Sequence, residues 1–307
     1  MSSPGTPSLD QLRVLIAIVD AGSLAAAGRA LGRATSAISY ALANLEAQLG
    51  LPLFERRATR RLQLTEAGNV VLAEARTLAR GIDGLRARVK GLSEGLEAEV
   101  SIAVDVMLPT QRLVAALTEF QATYPTVAIR LHVEALGAVT QLVLDDTAGL
   151  GVSGPLDSHK AGMERHALPG VAMIPVAAPD HPLARLQQQG PIAGGAARDH
   201  LQLVLTDRSP LTAGRDFGVQ GLRSWRLADL GAKHALLRAG AGWGNMPEPW
   251  VADDLAAGRL VRLDLPEWPG TLYPLEIIHK SHSPPGPAGR WLMAALARPE
   301  PQANVEA

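Results

Sequence analysis

Apolar positions between residues 9 and 49 recur at helical spacing three times. Leu9, Leu12, Leu15, Ile16 and Val19 line one face of a first predicted helix, which Gly22 can end in a left-handed turn. Ser23 suits the N-cap of a second, Ala-rich helix that runs to Leu31, and Gly32-Arg33 leave only a short turn before a third. In that third stretch, RATSAISYALANLEAQLG, the apolar residues Ile38, Leu42, Leu45 and Leu49 form a single stripe. The remaining face carries Thr35, Ser36, Ser39, Tyr40 and Asn44, short hydrogen-bonding side chains where a solvated helix face would be rich in Glu and Lys. Two helices joined so tightly make a helix-turn-helix pattern, whose second helix enters the major groove of DNA with its N-terminal residues against base edges. Thr35, Ser36 and Ser39 can then bond to bases or phosphates, Tyr40 and Asn44 reach further along, and Arg33 can serve a phosphate.

The segment LPLFERRATRRLQLT alternates basic and apolar positions around a turn near Ala58-Thr59, the pattern of a two-stranded wing. It gathers Arg56, Arg57, Arg60 and Arg61, well placed to grip a DNA backbone or enter a minor groove. The alternative is a protein-binding helix pair with a solvated basic loop. From Thr65, a predicted N-cap, a long helix runs to about Leu92. Its apolar residues Val71, Ala75, Leu78, Ile82, Leu85, Val89 and Leu92 step alternately by four and three, a heptad seam for two helices wound together. Such a helix spans about 40 Å, enough to hold two DNA heads apart. Gly81, Gly84 and Gly91 weaken it by roughly 1 kcal/mol each, so its stability calls for a partner. Packing against the chain's own body is the other reading.

Beyond residue 95 the period changes. Strands are predicted at 99–104, 127–134 and 149–153 around a helix at 109–124, then a crossover through GPLDSHKAGMERH into a second set with a strand at 201–206 and a helix at 229–239. A strand at 271–279 and a helix at 287–297 return to the first set. Strands alternating with helices indicate a parallel sheet, whose ligands gather at the carboxyl ends of the strands. The fold class is mixed α and α/β: an N-terminal winged helix-turn-helix (residues 1–64), a long dimerisation helix (65–93), and a two-lobed α/β effector-binding domain (94–307). Lobe I takes 96–155 and 268–300, lobe II 163–265.

Charge sharpens this division. Residues 1–95 hold 12 Lys and Arg against 8 Asp and Glu, and the remainder 17 against 22, so a basic head precedes an acidic body although the whole chain carries only −1. The absence of cysteine excludes disulfides, thiolate metal sites and a Cys nucleophile. No apolar run of membrane-spanning length and no signal-peptide pattern occur, which points to a cytoplasmic, nucleoid-associated protein without a membrane partner.

The run from Leu9 to Gly68 resembles the N-terminal domain of LysR-type transcriptional regulators. The resemblance is carried by Leu45-Glu46-x-x-Leu49-Gly50, Pro52-Leu53-Phe54-Glu55-Arg56 and Leu64-Thr65-Glu66-Ala67-Gly68. It departs at Ala34-Thr35-Ser36, where the family often has Ser-Gln-Pro, and at Tyr40, often Arg or His, so the operator sequence does not carry over. Weaker signatures extend it to about residue 298: Phe120-x-x-x-Tyr124-Pro125-x-Val127, Pro179-Asp180-His181-Pro182-Leu183-Ala184, and Gly240-x-Gly242 with Met246-Pro247. The resemblance implies a regulator of double-stranded DNA that dimerises, often to tetramers, through the long helix, with Val71, Ala75, Leu78, Ile82, Leu85 and Val89 as its seam. An activator of this kind would contact RNA polymerase. It also implies no cofactor other than a small-molecule effector held between the lobes. Carried over by position, the effector would meet Asp105, Met107, Leu108, Glu134 and Ser153 from lobe I and Thr206, Asp207, Trp243 and Asn245 from lobe II. Asp105 with Glu134 would repel a carboxylate, so a cationic, amine-bearing or polyhydroxylic effector is expected, or an aromatic one on Trp243. In the alternative reading Asp105 caps the helix near Pro109 and Trp243 fills core.

Enzyme readings fare worse. Gly151-Val152-Ser153-Gly154-Pro155 lacks the last Gly of a nucleophile elbow, and Gly240-Ala241-Gly242-Trp243-Gly244-Asn245 has Asn where a dinucleotide fingerprint needs its third Gly. The histidines show no metal spacing such as H-E-x-x-H, and His181 and His234 read as surface or packing residues.

Overall fold

A computed structural model describes residues 6–55, 62–93, 95–156, 162–215 and 217–298. The chain divides into two compact units, 1–90 and 91–307.

The first unit holds α1 (Leu9–Ala21), α2 (Leu24–Leu31), α3 (Thr35–Leu49) and α4 (Glu66–Ser93). Local signals set the boundaries. Ser8 and Gln11 form a capping box at the start of α1, and Gly22 ends it with φ 73°. Ser23 Oγ then accepts the Ala26 amide to start α2. Gly28 allows the tight turn into α3, because a Cβ there would sit 2.7 Å from the Arg33 carbonyl oxygen. Leu12, Val14, Leu15 and Ile18 of α1 pack with Ala27, Ile38, Leu45, Leu53 and Phe54. The motif residues hold this unit together: Glu46 accepts the Leu53 amide at 2.6 Å, and Thr65 accepts the Gly68 amide while donating to the Pro52 carbonyl.

Helix α4 splits its seam between two tasks. Val71 and Ala75, expected at a dimer interface, pack with Leu72 into the head's own core. A step of four lets both face one side of α4, here the cluster that also holds Leu15, Ile38 and Phe54. Val71 stays half-buried, whereas Ala75 is fully buried within the head. Leu78, Leu85, Val89 and Leu92, each 54–58% exposed, continue the seam as an uncovered stripe.

The second unit is built on one nine-stranded sheet in the order β2-β1-β3-β9-β4-β7-β5-β6, with β8 paired to β4. Lobe I contains β1 (Glu99–Asp105), α5 (Thr110–Thr123), β2 (Ala128–Glu134), α6 (Gly137–Leu144) and β3 (Leu150–Ser153). Lobe II contains α7 (Pro182–Gln189), β5 (Gln202–Leu205), β6 (Ser224–Leu227), α8 (Leu230–Arg238), β7 (Trp243–Pro247), α9 (Glu248–Ala256) and β8 (Val261–Arg262). Strands β1, β2 and β3 run parallel, as do β5, β6 and β7.

Both crossovers are strands: the first replaces the connecting segment expected around residues 154–166, and the second is the strand expected at 271–279. β4 (Met163–Ala177) and β9 (Thr271–Lys280) pair antiparallel and run from one lobe into the other. Their register shifts between Leu168 and Val171, at Pro169-Gly170, where a residue without an N–H is tolerated. This break conceals the strand in the sequence, because the buried face changes partway along. α10 (Pro287–Ala297) closes lobe I, placing Leu292 and Leu296 against Phe120 and Ile277, with Tyr124 and Trp291 packed beside them.

Candidate functional sites: a DNA-facing helix and an interlobe cleft

In the head, α3 buries Ile38 and Leu45 and leaves Thr35, Ser36, Ser39 and Tyr40 exposed, with Asn44 half-buried on the same helix. Tyr40 is 71% exposed, an unusual position for a large aromatic ring unless something lies against it. No side chain caps the N-terminus of α3, so its first amides and the positive end of its dipole remain open toward an anion. Arg33, expected to serve a phosphate, makes two hydrogen bonds to Asp10 at 2.7 and 2.8 Å and so ties the turn to α1. The flanks of the wing are paired: Phe54 bridges Leu64, and the Glu55 amide donates to the Gln63 carbonyl at 2.8 Å. Arg56, Arg57, Arg60 and Arg61 lie outside the described residues.

In the second unit a cleft of about 230 Å³ opens between the lobes. Met107, Leu136, Met173, Phe217, Trp268 and Tyr273 supply most of its apolar wall, and Gln202, Lys233, Asn245 and Thr271 its polar groups. Of the nine expected effector contacts, Met107 and Asn245 line it. The others are elsewhere, for identifiable reasons.

Asp105 is buried beneath the cleft. It accepts the Met107 amide at 2.9 Å, the Leu136 amide at 3.1 Å and the Tyr273 hydroxyl at 2.8 Å. Burial pushes its carboxyl up to about 6 against the pull of these bonds, and the Tyr273 hydroxyl is driven upward by its own burial and the adjacent carboxylate. Asp105 therefore fixes the cleft wall from beneath and is not among its lining residues. Among its effects is Leu136, held at φ 51°, a left-handed conformation that costs a non-glycine residue energy. Trp243 is fully buried in lobe II and donates Nε1 to the Ala197 carbonyl at 3.0 Å, so it fills core and is not part of the cleft wall. Leu108 belongs to the lobe I core, Glu134 is exposed outside the cleft, and Ser153 is buried against the Thr140 hydroxyl at 3.0 Å. Thr206 bonds through its amide to the Leu227 carbonyl, and Asp207 reaches the first turn of α6. With Asp105 and Glu134 both removed from the wall, the argument for a cationic effector fails.

Lys233 was missed, although its signal was present: Leu230, Lys233 and Leu237 share the buried stripe of α8, a place where a lysine is out of pattern. Its Nζ donates to the Asn245 carbonyl at 2.6 Å, and burial lowers its ammonium to about 7. It is the one charged side chain among the described residues lining the cleft. Trp268 Nε1 and Asn245 Oδ1 are buried with no hydrogen-bond partner among the described residues. Gly218, at φ 64°, lies between them, since a Cβ there would come 3.5 Å from Trp268 and 3.7 Å from Asn245.

The LysR substrate binding domain matches residues 93–299, two-thirds of the chain, and the bacterial regulatory helix-turn-helix of the lysR family matches residues 9–69. The chain belongs to the LysR family of transcription regulators. Among its relatives, the probable transcriptional regulator YhaJ of Escherichia coli is 28% identical over 266 residues, covering 82% of this chain and 84% of the relative. The transcriptional activator AllS of Klebsiella pneumoniae is 29% identical over 258 residues, covering 82% and 93%. A cysteine mutant of Corynebacterium glutamicum OxyR shares the fold, with TM-score 0.51 at 21% identity over 97% of this chain and 94% of the other. This LysR-type regulator is a DNA-binding transcription factor with an effector-binding domain, and not an enzyme. No single helix among its described residues is long and apolar enough to cross a membrane.

Proposed function

We propose that this regulator binds its operator through Thr35, Ser36, Ser39, Tyr40 and Asn44 of α3, with the wing arginines on the backbone, and responds to a small organic anion with an apolar body. The supporting observation for the effector is Lys233. A buried ammonium held, among the described residues, by one backbone carbonyl has donor capacity to spare, and a ligand carboxylate would satisfy it. The unpartnered Trp268 N–H is a second donor on the same wall, and the volume suits a metabolite of modest size. Apart from this effector no cofactor is required.

Binding an anion raises the affinity of Lys233 for its proton, so complex formation above pH 7 takes up a proton and weakens as pH rises further. Calorimetric titration with a panel of small carboxylates, repeated in buffers of different ionisation enthalpy, measures that uptake. Tight binding of simple amines, with no proton uptake, would sink the proposal. As an activator the protein would act in the cytoplasm on the nucleoid and contact RNA polymerase beside its operator. An effector does this only by binding two arrangements of the protein unequally.

A further inference from the structure

We propose that Glu164 and His166 of β4 and His279 of β9 form a binding site for a first-row divalent transition metal ion. Glu164 lies directly opposite His279 in the β4–β9 ladder. His166, two residues along the same strand, presents its side chain on the same face as Glu164. One ligand atom from each of the three falls within 4.8 Å of the others. The His166 and His279 rings are stacked with centroids 5.6 Å apart and planes at 22°. Metal–ligand bonds of about 2.0–2.2 Å place ligand atoms up to roughly 4.2 Å apart, so small side-chain rotations close the set around an ion.

His279 is prepared for this role. It is buried, and its Nδ1 lies 3.1 Å from the Lys280 carbonyl oxygen. A carbonyl only accepts, so Nδ1 carries a proton, which in the neutral ring leaves the lone pair for an ion on Nε2, 3.7 Å from Glu164 Oε2. A backbone carbonyl on the far nitrogen is the usual device for orienting a metal-ligating imidazole. The adjacent ammonium of Lys280 is occupied by Asp146 at 2.7 Å, and Arg165 pairs with Glu276 at 2.7 Å. Two imidazoles and one carboxylate favour zinc, cobalt, nickel or copper over magnesium or calcium, which prefer all-oxygen sites. Glu164 and His166 are exposed, so an ion can enter from solvent and keep water in its remaining positions. The bound ion would tie together the two strands that join the lobes, adding stability that depends on neutral histidines.

The test is titration of untagged full-length protein with Co²⁺, followed by its visible absorption, with Zn²⁺ as competitor. One ion per chain at micromolar affinity is expected, with thermal stability raised by loading. His166→Ala should weaken binding at least tenfold while leaving the metal-free melting curve unchanged, because that ring is exposed. Glu164→Gln should act similarly. Failure to bind Co²⁺, or full binding by His166→Ala, overturns the assignment, the latter by placing the ion at another histidine pair such as His181 and His200.

Discussion

The carboxylate of Asp207, just beyond β5 in lobe II, accepts a hydrogen bond from the Ala138 amide in the first turn of α6 in lobe I at 3.1 Å. Its other oxygen accepts the Thr212 hydroxyl. Gly137 makes room for this approach, since a Cβ there would come within 3.1 Å of Asp207, Thr212 and Ser209. A negative charge on a helix N-terminus is favourable, so the contact holds the lobes together across the cleft. Asp207→Ala should remove a charge-assisted bond worth about 1.5–3 kcal/mol. Amide hydrogen exchange at the start of α6 should then quicken at least tenfold; unchanged exchange would show that the contact carries no closing force.

Lys233 gives stability a distinctive pH dependence. Its folded pKa of about 7 lies below the ordinary 10.5, so between these values the unfolded chain binds more protons than the native one. Stability contributed by this group therefore rises with pH from 7 to about 10.5, and its full cost is felt below pH 7. Lys233→Met should raise the urea midpoint most near pH 6 and least near pH 10, while abolishing carboxylate binding. An equal change at both pH values would mean that the ammonium is not desolvated.

On the DNA face, Ser39→Ala and Tyr40→Ala should each lower affinity for the operator by about 1–3 kcal/mol and leave affinity for scrambled DNA nearly unchanged. Arg33→Ala distinguishes two roles. A phosphate contact would lower the slope of log K against log salt by about one, whereas a residue that only braces α1 through Asp10 would change thermal stability and not the slope. Fluorescence anisotropy across a salt series reads both.

The uncovered stripe on α4 predicts that Leu85→Glu shifts sedimentation toward monomer without unfolding the head, whose core uses only Val71, Leu72 and Ala75 of that helix. Ala75→Glu should do the reverse and unfold the head first.

What could be read in advance was local. Ser23, Gly22 and Gly32 announce their helix ends within a few residues, and Pro287–Ala297 falls where its periodicity places it. Helix α6 was not foreseen, because Gly137–Leu144 is a short apolar run that fits strand or helix equally. His181 illustrates a motif with a purely structural reason: buried and held to about 4, its neutral Nδ1 accepts the Leu183 amide at the head of α7. The cleft was poorly predicted because its wall comes from loops and strands far apart in sequence. The charge that matters there, Lys233, is conspicuous only once α8 is known to bury that face. Glu164 and His279 are separated by more than a hundred residues, and only the register of β4 on β9 makes them neighbours.

That register has a further consequence for anyone seeking to recombine such regulators. Because β4 and β9 each begin in one lobe and finish in the other, lobe I is split into two stretches of chain, and lobe II, though one continuous stretch, is bounded at both ends by strands it shares with lobe I. A chimera that borrows one lobe must splice within two hydrogen-bonded strands at once, and a mismatch at either junction slips every side chain beyond it to the wrong face. New effector specificity is therefore more accessible by point substitution in the cleft wall, or by exchange of the whole unit after α4, than by trading halves.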